Sequence, residues 1–460
     1  MSSDESVFSQ RRLTRRDVVK GGAGVAGLAA LGPLLAACGG GDDEGATTSA
    51  GGGGGDDLKG SGKVVIGAFE DGGLVPFKER MIPLFKEQTG IEIEWLEDEY
   101  GTFFEKAFND AQTGAGQYDV YVLDDPWVPQ FAAAETLEDL GAGGLEADSD
   151  FIPQFIDMGY FPPKEGPRVK GFEDAEPTLV ASPFVGDLQT MTYRNDIFQQ
   201  APKTWDELIS TAREAKQSGK VKYGFVFRGV AGNPVVTSWY PIFLSFGGQF
   251  FDDEWNPTWN DEHGKRATDF FVDTLKSLAP PGVVEFDSDQ EGATILGGNA
   301  AAIIQYSGNA LKSDDPSESK VAGKLDFAVV PEEEEAKAQI GIFISGVPKE
   351  APNKENALKF IRWFAQTDVQ IELARAGSLP VKRPAFEDEQ AAKKNRLTPV
   401  ALEQLDAGAE PRPRTPDWAK VEEILGIQLN RALQRGSTGD ALDKAAEEAR
   451  TYLDRQGYYG

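Results

Sequence analysis

The chain has 460 residues, with 46 Lys or Arg against 75 Asp or Glu, a formal charge of −29, one histidine (His263) and one cysteine (Cys38). That inventory excludes Cys/His and Ser/His/Asp catalytic triads, a multi-histidine metal site and any disulfide within the chain. So acidic a surface repels nucleic acid, and a 40% hydrophobic chain of this length buries more core than one domain needs, so two lobes are expected.

The chain opens on an export address. Thr14-Arg15-Arg16-Asp17-Val18-Val19-Lys20 precedes a mildly apolar Gly/Ala/Leu stretch that ends in Leu35-Ala36-Ala37-Cys38. Paired arginines of this kind resemble a twin-arginine signal, and Leu-Ala-Ala-Cys resembles a lipobox, so residues 1–37 are expected to be removed and Cys38 to carry lipid. Residues 38–62 are rich in Gly, Asp, Ser and Thr and read as a flexible tether from that anchor.

Strand and helix then alternate. Lys63–Phe69 reads as a buried strand, and Phe77–Gln88 as a helix with Phe77, Met81, Leu84 and Phe85 on one face, stopped at Thr89-Gly90. Ile91–Trp95 reads as a strand, Phe103–Thr113 as a helix, Tyr118–Leu123 as a strand, and a helix starts at Pro126. The alternation returns in Lys222–Arg228, Ala267–Ser277, Ala301–Gln305, Phe327–Val330, Ile340–Pro348 and Glu355–Gln366, and two helices, Trp418–Arg435 and Gly439–Gln456, close the chain. The expected class is α/β with mostly parallel sheets. Asp287-Ser288-Asp289-Gln290-Glu291-Gly292 imitates a calcium loop, but Gly298 stands where a bidentate glutamate is required, so no metal and no cofactor is expected.

Several segments in order resemble family 1 extracellular solute-binding proteins, the class that includes the maltose-binding protein. They are Asp119–Leu123 with Leu137-Glu138-Asp139-Leu140, Tyr193-Arg194-Asn195-Asp196 with Pro202-Lys203-Thr204-Trp205-Asp206-Glu207-Leu208, Phe246–Asp252, Gly297–Ile304, and Pro348-Lys349 with Asn356–Ile361. The resemblance covers nearly all of Lys63 to Gln456. It implies a two-lobed periplasmic-binding-protein-like fold with discontinuous lobes joined by crossover hinge strands, one lobe from residues 63–184 and 332–377, the other from 185–331 and 378–460. It also implies a monomer that closes on a sugar or small oligosaccharide and delivers it to an ABC permease, held at the outer face of the membrane by its lipid. Polyamine binding, suggested by the acidity, and glycoside hydrolysis by a carboxylate pair are the alternatives.

A sugar site needs aromatic faces and groups that donate and accept hydrogen bonds in pairs. Ligands of open α/β sheets bind beyond the carboxyl ends of the strands. There lie Glu70, Asp71, Asp124 and Trp127 on one lobe. Asp187 near the crossover, Asn233 and Trp239 in an expected loop from Gly232 to Tyr240, and Tyr306 with Asn309 complete the candidate set. Trp127 and Trp239 are equally suited to packing, and Asp124 to capping the helix near Pro126.

Overall fold

The apolar run Val64–Phe69 lies in an inner strand of a five-stranded sheet whose order is Glu92–Asp98, Lys63–Phe69, Val120–Asp124, Phe343–Gly346, Ser182–Val185. The first three strands run parallel and Phe343–Gly346 runs antiparallel to both its neighbours. This computed structural model describes residues 57–459, so the expected signal, Cys38 and most of the tether lie outside the described residues. Residues 77–89 form the expected helix, with Phe77, Met81, Leu84 and Phe85 all buried against the sheet. Phe77 meets the rings of Phe184 and Phe364 at 4.7 and 5.2 Å, which ties three distant segments into one apolar core.

A second sheet, ordered Leu325–Ala328, Thr190–Arg194, Ala300–Gln305, Tyr223–Val226, carries its own core. Helix Trp418–Arg435 inserts Trp418, Val421, Leu425, Leu429 and Leu433 at helical spacing into that core, and Ala441–Arg455 adds Ala445, Ala449 and Leu453. Residues 378–409, expected with this second lobe, pack elsewhere: Leu379, Val381, Phe386, Leu397, Ala401 and Leu405 belong to the first core. Their apolar spacing carries no signal of which sheet they face.

Residues 233–240 also depart from expectation, because they begin a helix, Asn233–Ser245, and not a loop. Gly232 at φ 95° turns the chain into it and Pro234 suits its first turn. Trp239 is consequently carried about 240° round the axis from Asn233. It is fully buried, stacks on Phe243 at 4.3 Å and donates Nε1–H to Thr268 Oγ1 at 3.0 Å.

The chain passes between the two cores in three segments that lie side by side. In the first, Gln189 N–H donates to the Gln339 carbonyl of the second at 3.0 Å, and Gly341 N–H returns a bond to the Asp187 carbonyl at 3.1 Å. The third segment joins through Ile340 N–H to the Glu410 carbonyl at 2.9 Å, with Ala338–Gln339 pairing in parallel with Ala409–Glu410. Just past it, Arg412 turns onto the end of Val120–Asp124, gripping Asp124 with two nitrogens at 2.6 and 3.1 Å and also pairing with Asp125. Arg414 donates to the Asp125 carbonyl at 2.6 Å and to the Met158 carbonyl.

This cluster is buried, so its charges depend on one another. Burial pushes the Asp125 carboxyl up, against the pull of Arg412, and lowers Arg414 to about 10. Arg412→Met is expected to lower the unfolding free energy by about 3–5 kcal/mol, because it leaves buried carboxylates uncompensated. With the guanidinium gone, its pull no longer offsets the burial that raises the Asp125 carboxyl, so Asp125 binds protons more strongly in the folded than in the unfolded chain and the variant loses further stability as pH rises. Denaturant unfolding of both proteins in mildly acidic and neutral buffer checks this; an equal deficit at both would contradict it.

Candidate functional site

Between the two sheets, over the crossover segments, lies a cleft of about 620 Å³. From the first lobe come Phe69, Glu70, Asp71, Tyr100, Asp124 and Phe343; from the crossovers Asp187, Gly341 and Arg412; from the second lobe Arg228, Asn233, Thr237, Asp287 to Glu291, Gln305, Tyr306, Asn309 and Lys312. Seven of the nine expected site residues therefore line one cavity: Glu70, Asp71, Asp124, Asp187, Asn233, Tyr306 and Asn309.

Trp127 and Trp239 do not. Trp127 stands behind the cleft wall, its ring 5.4 Å from Phe69 and 4.5 Å from Tyr100, and those two rings face the cavity in its place. Trp239 points into the second core, for the helical reason given above. Among the described residues no indole reaches this cleft; its aromatic faces are Phe69, Tyr100, Tyr306 and Phe343.

Each polar group is held by a definite element. Asp71 caps the turn Gly72–Leu74, accepting from Gly73 N–H at 2.7 Å, and burial raises its carboxyl. Asp187, 5% exposed in the first crossover, accepts Ser307 N–H at 2.9 Å; burial and the Asp71 charge hold it well above the usual carboxylate range. Tyr306 donates its hydroxyl to Gln339 Oε1 at 2.6 Å and so is fixed to the second crossover. Asn233, first in its helix, donates to Glu422 Oε1 at 3.1 Å, and burial raises Glu422 to about 7. Tyr100 donates its hydroxyl to Asp124 Oδ2 at 2.6 Å. Asp124 thus takes part in ligand-side geometry through its partners, while its own oxygens are largely occupied by Tyr100, Arg412 and the Asp125 N–H.

Sequence reasoning missed Tyr100, Arg228, Arg412 and Glu291. Arg228 closes the expected strand at Lys222–Arg228, so the strand-end rule that singled out Glu70 points to it as well. Arg412 lies far from every motif in the chain, and its role follows only from the third crossover. The segment Asp287–Gly298 is no ion loop: Asp287 caps helix Ser288–Leu296, with Gln290 completing a capping box.

Three buried atoms of cleft residues have no hydrogen-bond partner among the described residues: the acceptors Glu291 Oε2 and Gln305 Oε1, and the donor Arg412 Nε. Buried polar atoms are normally paired. Orphans of both kinds suit a ligand group that both donates and accepts, as a hydroxyl does.

Residues 71–371 match the family model described as bacterial extracellular solute-binding protein. The mannitol-binding protein of Pseudomonas aeruginosa is 28% identical over 414 residues, covering 83% of this chain and 91% of its own. A probable amino-acid ABC transporter periplasmic-binding protein of Sinorhizobium fredii is 23% identical, covering 81% and 85%. Among solved structures, an ABC transporter solute binding protein from Agrobacterium radiobacter in complex with ribitol superposes with a TM-score of 0.71 at 25% identity, over 86% of this chain and 99% of that one. Maltose-bound MalE3 of T. maritima gives 0.73 at 23%, over 85% and 100%. The two lobes, the crossovers and the intervening cleft are the architecture these structures share, and the chain belongs to the family of bacterial extracellular solute-binding proteins.

Proposed function

We propose that this protein captures a sugar or polyol in the interlobe cleft and delivers it to the permease of an ABC importer. Membership of the family gives the extracytoplasmic setting. The observation that carries the cargo class is the lining of the cleft. Four aromatic rings stand beside carboxylates, amides and guanidinium groups in one cavity, a pairing that suits C–H faces interleaved with hydroxyls. The named cargoes of the relatives, mannitol, ribitol and maltose, agree with it.

The polyamine reading draws on the acid excess in the cleft. Against it stand Arg228, Lys312 and Arg412, three cationic side chains in the same cavity. Two of these cations already neutralise Asp124 and Asp287, which reduces the acid excess left for a ligand carrying several ammonium groups. For hydrolysis, two carboxylates have to act as acid and base or nucleophile. Asp124 and Asp287 are committed to ion pairs with Arg412 and Arg228, and membership of a solute-binding family supports reading the cleft as a binding site that returns its ligand unchanged. Attachment to the membrane through Cys38 rests on the Leu35–Cys38 motif.

Calorimetric titration of the chain from residue 57 onward with D-mannitol, ribitol, maltose, spermidine and amino acids tests the cargo. Heat is expected from a neutral polyol or sugar, with the compound recovered intact. Heat from spermidine or an amino acid alone, or conversion of the sugar, would overturn the reading. For the anchor, Cys38→Ala is expected to move the full-length protein from the membrane fraction to the soluble fraction or leave an uncleaved precursor; unchanged fractionation and mass would refute it.

A further inference from the structure

Glu291 is a buried carboxylate of the cleft that the fold leaves without a partner. It lies in helix Ser288–Leu296, whose first turn is already satisfied by Asp287 and Gln290, so Glu291 has no capping task. It is 4% exposed, it lines the cavity, and its Oε2 has no hydrogen-bond partner among the described residues. Burying an ionisable group unpaired is costly and survives only where something compensates it. Nothing in the packing of the second lobe calls for a carboxylate here, since the same helix buries Ile295 and Leu296 on its core side.

The neighbouring charge narrows what compensates it. Arg228 reaches the cleft beside Glu291, its Nε held by Asp287 Oδ1 at 2.8 Å. A carboxylate next to a guanidinium offers acceptors and donors together, which matches hydroxyl groups. An ammonium in the same place would sit against Arg228 as a like charge.

We propose that Glu291 is a specificity-determining ligand residue whose carboxylate accepts two hydroxyl donors from adjacent carbons of a sugar or polyol, with Arg228 donating to the same diol. This rests on the reading of the cargo as a sugar or polyol. Burial raises the Glu291 carboxyl to about 8, with Arg228 pulling the other way and Asp287 adding to the rise. In the empty cleft it is therefore mostly neutral at pH 7. Two hydroxyl donors favour the charged form, so binding expels a proton, and affinity rises with pH until about 8 and levels off above it. Asp71, Asp187 and Glu422 also titrate around the cleft. Their contribution is common to the wild type and a Glu291 variant, so the difference between the two isolates Glu291.

The experiment is calorimetric titration of wild type, Glu291→Gln and Glu291→Asp with D-mannitol, ribitol and maltose, below, at and above about pH 8. D-Sorbitol is run beside D-glucamine, which carries an amino group in place of one hydroxyl. For a probe that binds the wild type, Glu291→Gln is expected to lose roughly 10- to 100-fold in affinity and the pH-dependent part of it, with an unchanged or higher melting temperature. Glu291→Asp, which keeps the charge on a shorter arm, is expected to fall between them. Equal affinity and equal pH dependence in wild type and Glu291→Gln would overturn the assignment while leaving the cargo reading intact. Silence of every neutral probe with the wild type would overturn that reading and the assignment with it. Tighter binding of D-glucamine than of D-sorbitol through Glu291 would overturn the diol in favour of an ammonium.

Discussion

Backbone crosses three times between the two cores, and the three crossings are hydrogen-bonded to one another at residues 187–189, 339–341 and 410. Packing there is tight enough to dictate composition. A side chain at Gly186 would place its Cβ 2.3 Å from the Pro380 carbonyl oxygen, and one at Gly341 would place it 2.6 Å from the Tyr306 ring. Short segments that carry two independently packed bodies concentrate any relative motion in their own backbone torsions, which is the geometry of hinge closure. Because Asp187 and Gly341 lie in these segments and also line the cleft, the candidate site and the crossovers share residues.

That sharing explains the electrostatics of the cavity. Asp124 is neutralised within the protein by Arg412, and Asp287 by Arg228, so these pairs stay compensated whether or not a ligand is present. Asp71 and Asp187 lean instead on backbone N–H groups, and Glu291 has neither. A ligand that bonds to groups of both lobes is bound better by the closed arrangement and shifts the population by that difference in affinity.

Local rules placed the secondary elements well, since the strand at Lys63–Phe69 is written as a short continuous apolar run and the helix at Trp418–Arg435 in a period of 3.6. The rule that ligands gather beyond strand ends pointed to Glu70, Asp71 and Asp124, and the crossover motif to Asp187, and all four line the cleft. Trp127 and Trp239 lie off the cleft lining, because a large aromatic serves a core and a sugar face with the same chemistry; for Trp239 the phase of helix Asn233–Ser245 decides, and for Trp127 the rings of Phe69 and Tyr100 in front of it. Arg412 was illegible for another reason. Its partners are almost three hundred residues away in the chain, and a proline-flanked arginine near the C-terminus gives no local sign that it will be buried. For residues 378–409 the sequence shows apolar helical faces without showing which core they pack against.

The account stands on closure of the two lobes around a bound solute. Small-angle X-ray scattering of the protein, empty and saturated with a compound that gives heat on titration, measures it most directly. A smaller radius of gyration in the saturated sample is the predicted result. An identical radius in both, with saturation confirmed on the same sample, would contradict it.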